Sequence, residues 1–289
     1  MQLDLFAHSR DVMLRNDLVM ALRARDLAAG RKAHAKLAAE CPQEALLAPA
    51  AILLEQLGRR LRPFADPLAA SQAVARIDDE IRRAAGQVFG PGKADEWLVP
   101  LWQALADAVA ALPFRPDLPE AHVAGVLMRA RQWHRAREAA EAIPSWRRIP
   151  HPLAWMSEIA FELDGMEGAW PLLAELAWLD PVRFAALARR LAAPPLSRLL
   201  RDFDRVLAAD DDAEFAWFPA WALIAEPALA EVLRGAETPV QSPPELAAHT
   251  VMQLLTLERQ GRHHELIAKR KGLRALHAGL FEHYMATRA

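Results

Sequence analysis

The sequence predicts an all-α protein built from consecutive helix pairs, and three observations predict it. Ala, Leu, Arg and Glu, all good helix formers, dominate the composition, and only 12 of 289 residues are Gly. Alternating runs of Val, Ile and Thr, the mark of half-buried strands, are missing. Capping residues and prolines punctuate the chain at helical spacing from one end to the other.

The elements follow in order. From Asp11 to Arg25 the apolar period places Val12, Leu18, Val19 and Leu22 on one side of a helix. Pro42 stops the next helix. Asp66-Pro67 and Asp180-Pro181 each set a capping carboxylate before a proline at the first helical position. Asp117-Leu118-Pro119-Glu120 and Ser242-Pro243-Pro244-Glu245 have the spacing of a capping box. Pro144 and Gly165 mark further stops. Segments of about 12 to 20 residues joined by short turns continue to the C-terminus, which predicts roughly fourteen to sixteen helices. Two longer proline-bearing connections, 111–122 and 236–245, are candidate sub-boundaries within a helical region spanning 9–289.

Bulk properties narrow the functional classes. With 53% hydrophobic and 25% charged residues, the chain can bury a large core and belongs with folded proteins. A net charge of -2 argues against a protein whose main task is holding duplex DNA. The lone Cys41 can form no internal disulfide and makes no metal site by itself. No signal-peptide pattern opens the chain, and no apolar stretch is long enough for a membrane span, so a cytoplasmic location is expected.

The chain also shows faint self-similarity. LRARDLAAGRKAHAKLAAECP (22–42) resembles MRARQWHRAREAAEAIP (128–144), and ELDGMEGAWPLLAELAWLDP (162–181) has the same build. LERQGRHHELIAKRKGL (257–273) repeats the turn. These units resemble the helix-turn-helix of tetratricopeptide (TPR) repeats, in which a small residue lets two helices approach and a Pro closes the unit. Ala33, Ala136 and Ala169 would be those small residues. The spacing departs from a steady repeat, and most units lack the family's early Trp and Tyr. The resemblance implies a degenerate TPR-like α-solenoid of antiparallel helix pairs; an irregular helical bundle is the alternative.

The N-terminus carries the most specific signal. Residues 2–6 read QLDLF, and they are similar to the short peptide by which many bacterial proteins bind the DNA polymerase sliding clamp. That pattern is Gln, Leu, Ser or Asp, Leu, Phe, and Gln2, Leu3, Asp4, Leu5 and Phe6 match it at every position. The resemblance implies an extended peptide, with Leu5 and Phe6 in an apolar pocket and the Gln2 amide fixing register at its edge. Leu3 would cover a shallower site and Asp4 would stay near water. The competing reading is a staple, in which residues 1–8 pack their apolar side chains on the first helix behind a Ser9 N-cap.

Other constellations carry weaker chemistry. His263-His264-Glu265 lacks the second His that a zincin helix places four residues on, because position 268 is Ala, so surface and cap roles are expected for His263, His264, His277 and His283. Arg262, Lys269, Arg270, Lys271 and Arg274 form a candidate basic patch that could meet phosphate, or simply a solvated helix face. Asp210, Asp211 and Asp212 read as acids at a helix N-terminus. The aromatics that follow, Phe215, Trp217, Phe218 and Trp221, are core fillers or a candidate groove for a partner. Asp78, Asp79 and Glu80 with Arg82 and Arg83 read as a salt-bridged face. FGPGKADEW lacks the length and the Ser/Thr of a phosphate loop, and no nucleophile with a base is evident.

The expectation is therefore a non-enzymatic helical-repeat adaptor with no cofactor or metal. It would dock on the bacterial sliding clamp through Gln2–Phe6 and hold a second, unidentified protein on its helical surface, with direct nucleic-acid contact a lesser prospect and no membrane partner. A general TPR-like protein-protein interaction scaffold with no clamp role is the alternative.

Overall fold

The computed structural model describes residues 2–191, 194–207, 212–237 and 242–288, with the side chains of residues 2–9, 206, 207, 212 and 213 outside the description. Among the described residues the fold is all-α. Sixteen α-helices, a π-turn and three 3-10 turns occur, and no strand. The chain divides into two compact units, Met1–Ala136 and Arg137–Ala289.

The first unit contains α1 (Gln2–Arg23), α2 (Leu27–Glu40), α3 (Leu47–Gly58), α4 (Pro67–Arg76), α5 (Arg82–Phe89), α6 (Pro91–Val109) and α7 (Val123–Arg129). Neighbours in sequence are neighbours in space: α1 packs on α2, α2 on α3, α5 on α6 and α6 on α7. The core stripe of α1 is Leu14, Leu18, Ala21 and Leu22, spaced i, i+4, i+7, i+8. Val12 lies outside that stripe and is half exposed, in contrast to the expected face of Val12, Leu18, Val19 and Leu22. The reason is angular, since two residues on a helix are about 200° apart and Val12 is two residues before Leu14.

The helix starts expected from caps are partly realised. Asp66 accepts hydrogen bonds from the N–H groups of Leu68 and Ala69 and opens α4. Asp117 does not open a helix. Its carboxylate is bound by Arg115, a 3-10 turn occupies Pro119–Ala121, and α7 starts only after His122, whose Nδ1 accepts from the Ala124 N–H. A charged neighbour two residues away has outcompeted the cap. The acidic stretch at 78–80 is salt-bridged as expected, with Asp78 bound by Arg82 and Arg129 and Glu80 by Arg76. It also forms a π-turn, Ile77–Ile81, that the sequence pattern did not announce.

The small residue that lets α2 approach its neighbour is Gly30, not Ala33. A Cβ on Gly30 would lie 2.6 Å from Leu54 Cδ2, whereas Ala33 is only half buried. Gly30→Ala should therefore destabilise the protein, although Ala is the better helix former by about 1 kcal/mol. Overpacking a filled core costs about 1–3 kcal/mol and outweighs that gain. A thermal melt of the variant checks the sign; a raised Tm would contradict the close approach.

The second unit contains α9 (Pro150–Leu179), α10 (Pro181–Leu191), α11 (Pro194–Leu207), α12 (Phe218–Ala225), α13 (Leu229–Leu233), α14 (Pro243–Gln260), α15 (His263–Leu276) and α16 (Ala278–Ala286). The remaining helix, α8 (Trp133–Glu141), carries the division between the units. Again α9 packs on α10, α14 on α15 and α15 on α16. Gly165 breaks α9 as expected: its φ of 71° and ψ of -162° are open essentially to Gly alone. Asp180 accepts from the Arg183 N–H at the start of α10, and Ser242 with Glu245 forms the full capping box of α14. Ala136 and Ala169 are fully buried. No described helix is long and apolar enough to cross a membrane.

Candidate functional site

Helix α1 is continuous from Gln2, so Ser9 lies inside a helix and does not cap one. The side chains of Gln2, Leu3, Asp4, Leu5 and Phe6 lie outside the described residues. The acidic run at Asp210, Asp211 and Asp212 likewise lies outside them, apart from the backbone of Asp212 in a 3-10 turn, Asp212–Trp217.

The four expected aromatics do converge, but as core. Phe215, Phe218 and Trp221 are shut off from solvent, and Trp217 alone is partly exposed. Phe203 from α11 and Phe184 from α10 complete the cluster. Phe203 sits 5.2 Å from Phe215, 5.4 Å from Phe218 and 5.6 Å from Trp221, the last two edge to face. These spacings are those of stabilising aromatic pairs. Trp221 stacks on His283 at 5.4 Å, and Trp217 lies 4.5 Å from His277. The faces that the expected groove needs are thus filled by the chain's own rings.

The basic residues of the C-terminal region are spread round α15 and partly neutralised. Arg262 pairs with Glu265, and Arg270 reaches Glu258 at 3.8 Å and the Tyr284 hydroxyl at 3.5 Å. Arg274 lies over the Phe281 ring at 5.9 Å. Lys269 and Lys271 are exposed, with no ion pair among the described residues, but two positions apart they point to opposite sides of the helix. The five cations do not make one open face. The histidines divide between surface and structure: His263 and His264 are exposed, while His277 caps α16 by accepting from the Leu280 N–H. Burial and the nearby Arg288 push His283 below its ordinary value.

The most perturbed carboxylate was not singled out from the sequence. Glu175 sits in the apolar run of α9 and is 3% exposed. Its Oε1 accepts from the Glu237 N–H at 2.8 Å, and Arg147 Nε lies 3.2 Å from its Oε2. Arg147, in the 3-10 turn Trp146–Arg148, also binds Glu237 at 2.6 Å. Burial pushes Glu175 up to about 7, with Glu237 and Glu245 adding to the rise, while the Glu237 N–H and Arg147 oppose it. Glu175 therefore ties two connections, at 146–148 and 237, to the middle of a helix. The available signal was one acid in the apolar run LLAELAWL (172–179). A second buried group, His122, is pushed down to about 4 by burial and is neutral at pH 7 in its capping role.

No family model, no curated protein and no solved structure matches this chain.

Proposed function

We propose that this protein is a non-enzymatic helical-repeat adaptor that docks on the bacterial DNA polymerase sliding clamp through Gln2–Phe6. One observation carries the reading: all five residues agree with the clamp-binding peptide, and a series of paired helices follows them. The degenerate TPR-like architecture belongs to the same proposal, with the helical surface left to hold a second protein.

Docking has a structural requirement. An extended peptide can form only if the first turn and a half of α1 unwinds. The first four N–H groups of a helix have no intrahelical partner, so its beginning is the least costly part to unwind. Leu5 and Phe6 would each contribute about 1.5–3 kcal/mol on full burial in the clamp's pocket. Ordering the peptide costs roughly 1–2 kcal/mol per residue, which offsets much of that gain, so binding depends on both side chains being seated. A ring with more than one pocket would add avidity if the adaptor were itself multivalent.

Leu5→Ala combined with Phe6→Ala should lower affinity for the host's own clamp by more than about 100-fold, enough to abolish capture in a pull-down. Helicity by circular dichroism should stay unchanged. Undiminished capture sinks the proposal. The continuity of α1 from Gln2 favours the second reading, a general interaction scaffold whose first turn stays on its own chain. On that reading neither the wild type nor the double variant captures the clamp.

A further inference from the structure

The first unit holds a cavity of about 330 Å³ beside the end of α3 and the start of α4. That volume is at the lower end of the range of small-molecule sites, roughly 300–1,000 Å³. Leu61, Phe64, Ile77, Ile81 and Leu105 supply its apolar wall. Two of these, Ile77 and Ile81, bound the π-turn. Such turns are rare and are found disproportionately at functional sites.

Four polar side chains border the cavity: Gln56, Arg59, Arg76 and the exposed Gln72. Gln56, in the last turn of α3, is 5% exposed, and its amide has no hydrogen-bond partner among the described residues. Its amide atoms are not among the polar atoms sealed from solvent, so the amide is reached through the cavity and is free to bind a ligand there. Arg59, the extended residue that follows the end of α3, also lines the cavity, is exposed and has no carboxylate partner among the described residues. Arg76 differs, being held by Glu55 and Glu80 at 2.9 Å each. One donor-rich amide inside, one unneutralised guanidinium outside and hydrocarbon between them make an asymmetric site.

The geometry points to a binding site for a small apolar carboxylic acid. Its hydrocarbon lies against Phe64, Ile77, Ile81 and Leu105, and its carboxylate accepts from the Gln56 amide and the Arg59 guanidinium. The C-terminal end of α3 opposes an anion with roughly half an elementary charge. The full charge on Arg59 exceeds it. An amine would face two arginines, and a neutral ligand would leave Arg59 unused. The acid can be a free molecule or the C-terminal residue of a peptide, since both present an apolar group beside a carboxylate. The site shares no residue with Gln2–Phe6 and stands whether or not the protein binds a clamp.

Titration calorimetry on the full chain tests it with three probes: sodium octanoate, N-acetyl-leucine and uncharged 1-octanol. Saturable one-site binding of at least one acid is expected. Arg59→Gln should weaken it by about tenfold or more, the scale of one lost charge-assisted hydrogen bond. Gln56→Leu should do the same, because it removes the amide and keeps a side chain of similar size. If that variant fails to fold, Arg59→Gln, a change at an exposed position, still decides. Tighter octanoate assigns the site to a free acid, and tighter N-acetyl-leucine assigns it to a peptide terminus. Absence of saturable binding by either acid, an affinity unchanged in Arg59→Gln, or octanol binding as tightly as octanoate overturns the proposal.

Discussion

Phe203→Ala is expected to cost about 4 kcal/mol of stability, in the range measured for removing a buried ring. Phe203 is fully buried and touches Phe215, Phe218 and Trp221 at ring-centre distances of 5.2–5.6 Å. The loss has two parts. The ring's transfer from water is forfeited, and the cavity left behind has rigid aromatic walls that cannot collapse into it. Aromatic pairing adds about 0.5–1.5 kcal/mol per lost pair beyond burial. Set against a total stability of about 5–15 kcal/mol for a domain, this is a large fraction. A fall in Tm of about 10 °C is expected for a unit of this size. Val182→Ala on α10, at a residue 55% exposed, is the control and should stay within about 0.5 kcal/mol. A melt in which the two variants behave alike would show that the cluster is not the centre of the second unit.

Glu175→Gln is expected to stabilise the protein at pH 8 and to leave it unchanged below about pH 4.5. Burial raises the Glu175 carboxyl from 4.5 to about 7, so between those values the folded state holds a proton that the unfolded state has lost. The wild type therefore loses stability as pH rises from about 4.5 to about 7, and the deficit is constant above that. A shift of this size corresponds to about 3 kcal/mol. Gln cannot ionise, yet its carbonyl still accepts from the Glu237 N–H, and Arg147 keeps Glu237 as a partner. Urea midpoints of both proteins at pH 4.5 and pH 8 give the difference directly. Equal differences at the two pH values would show that the Glu175 carboxylate is as well solvated in the fold as outside it.

How much of this was legible in the sequence depends on the range of the interaction. Caps are decided within three residues, and Asp66, Asp180, Ser242 and Glu245 behave as their spacing says. Asp117 fails because Arg115 competes for the same carboxylate, which spacing to the helix alone does not weigh. Periodicity gives α1 a core face but misassigns Val12, since a short run of Val and Leu fits more than one stripe. The aromatics at 215–221 were recognised as dense. Whether they line a groove or fill a core was settled by Phe184 and Phe203, residues on other helices. Glu175 and Gln56 were missed for the same reason: what makes each unusual is a surrounding assembled from distant segments. Residues 2–6 are the reverse case, a pattern complete within five positions whose proposed meaning depends on a molecule outside the chain.

The preference of each helix for its sequence neighbour bears on how the chain reaches its fold. Pairs such as α1 with α2 and α14 with α15 close only short loops, so little chain entropy is lost before their contacts begin to stabilise them. Proteins dominated by such local pairing have low contact order and fold in microseconds to milliseconds. During synthesis each hairpin of helices can therefore mature as soon as its second member leaves the ribosome, well ahead of the residues still to be added.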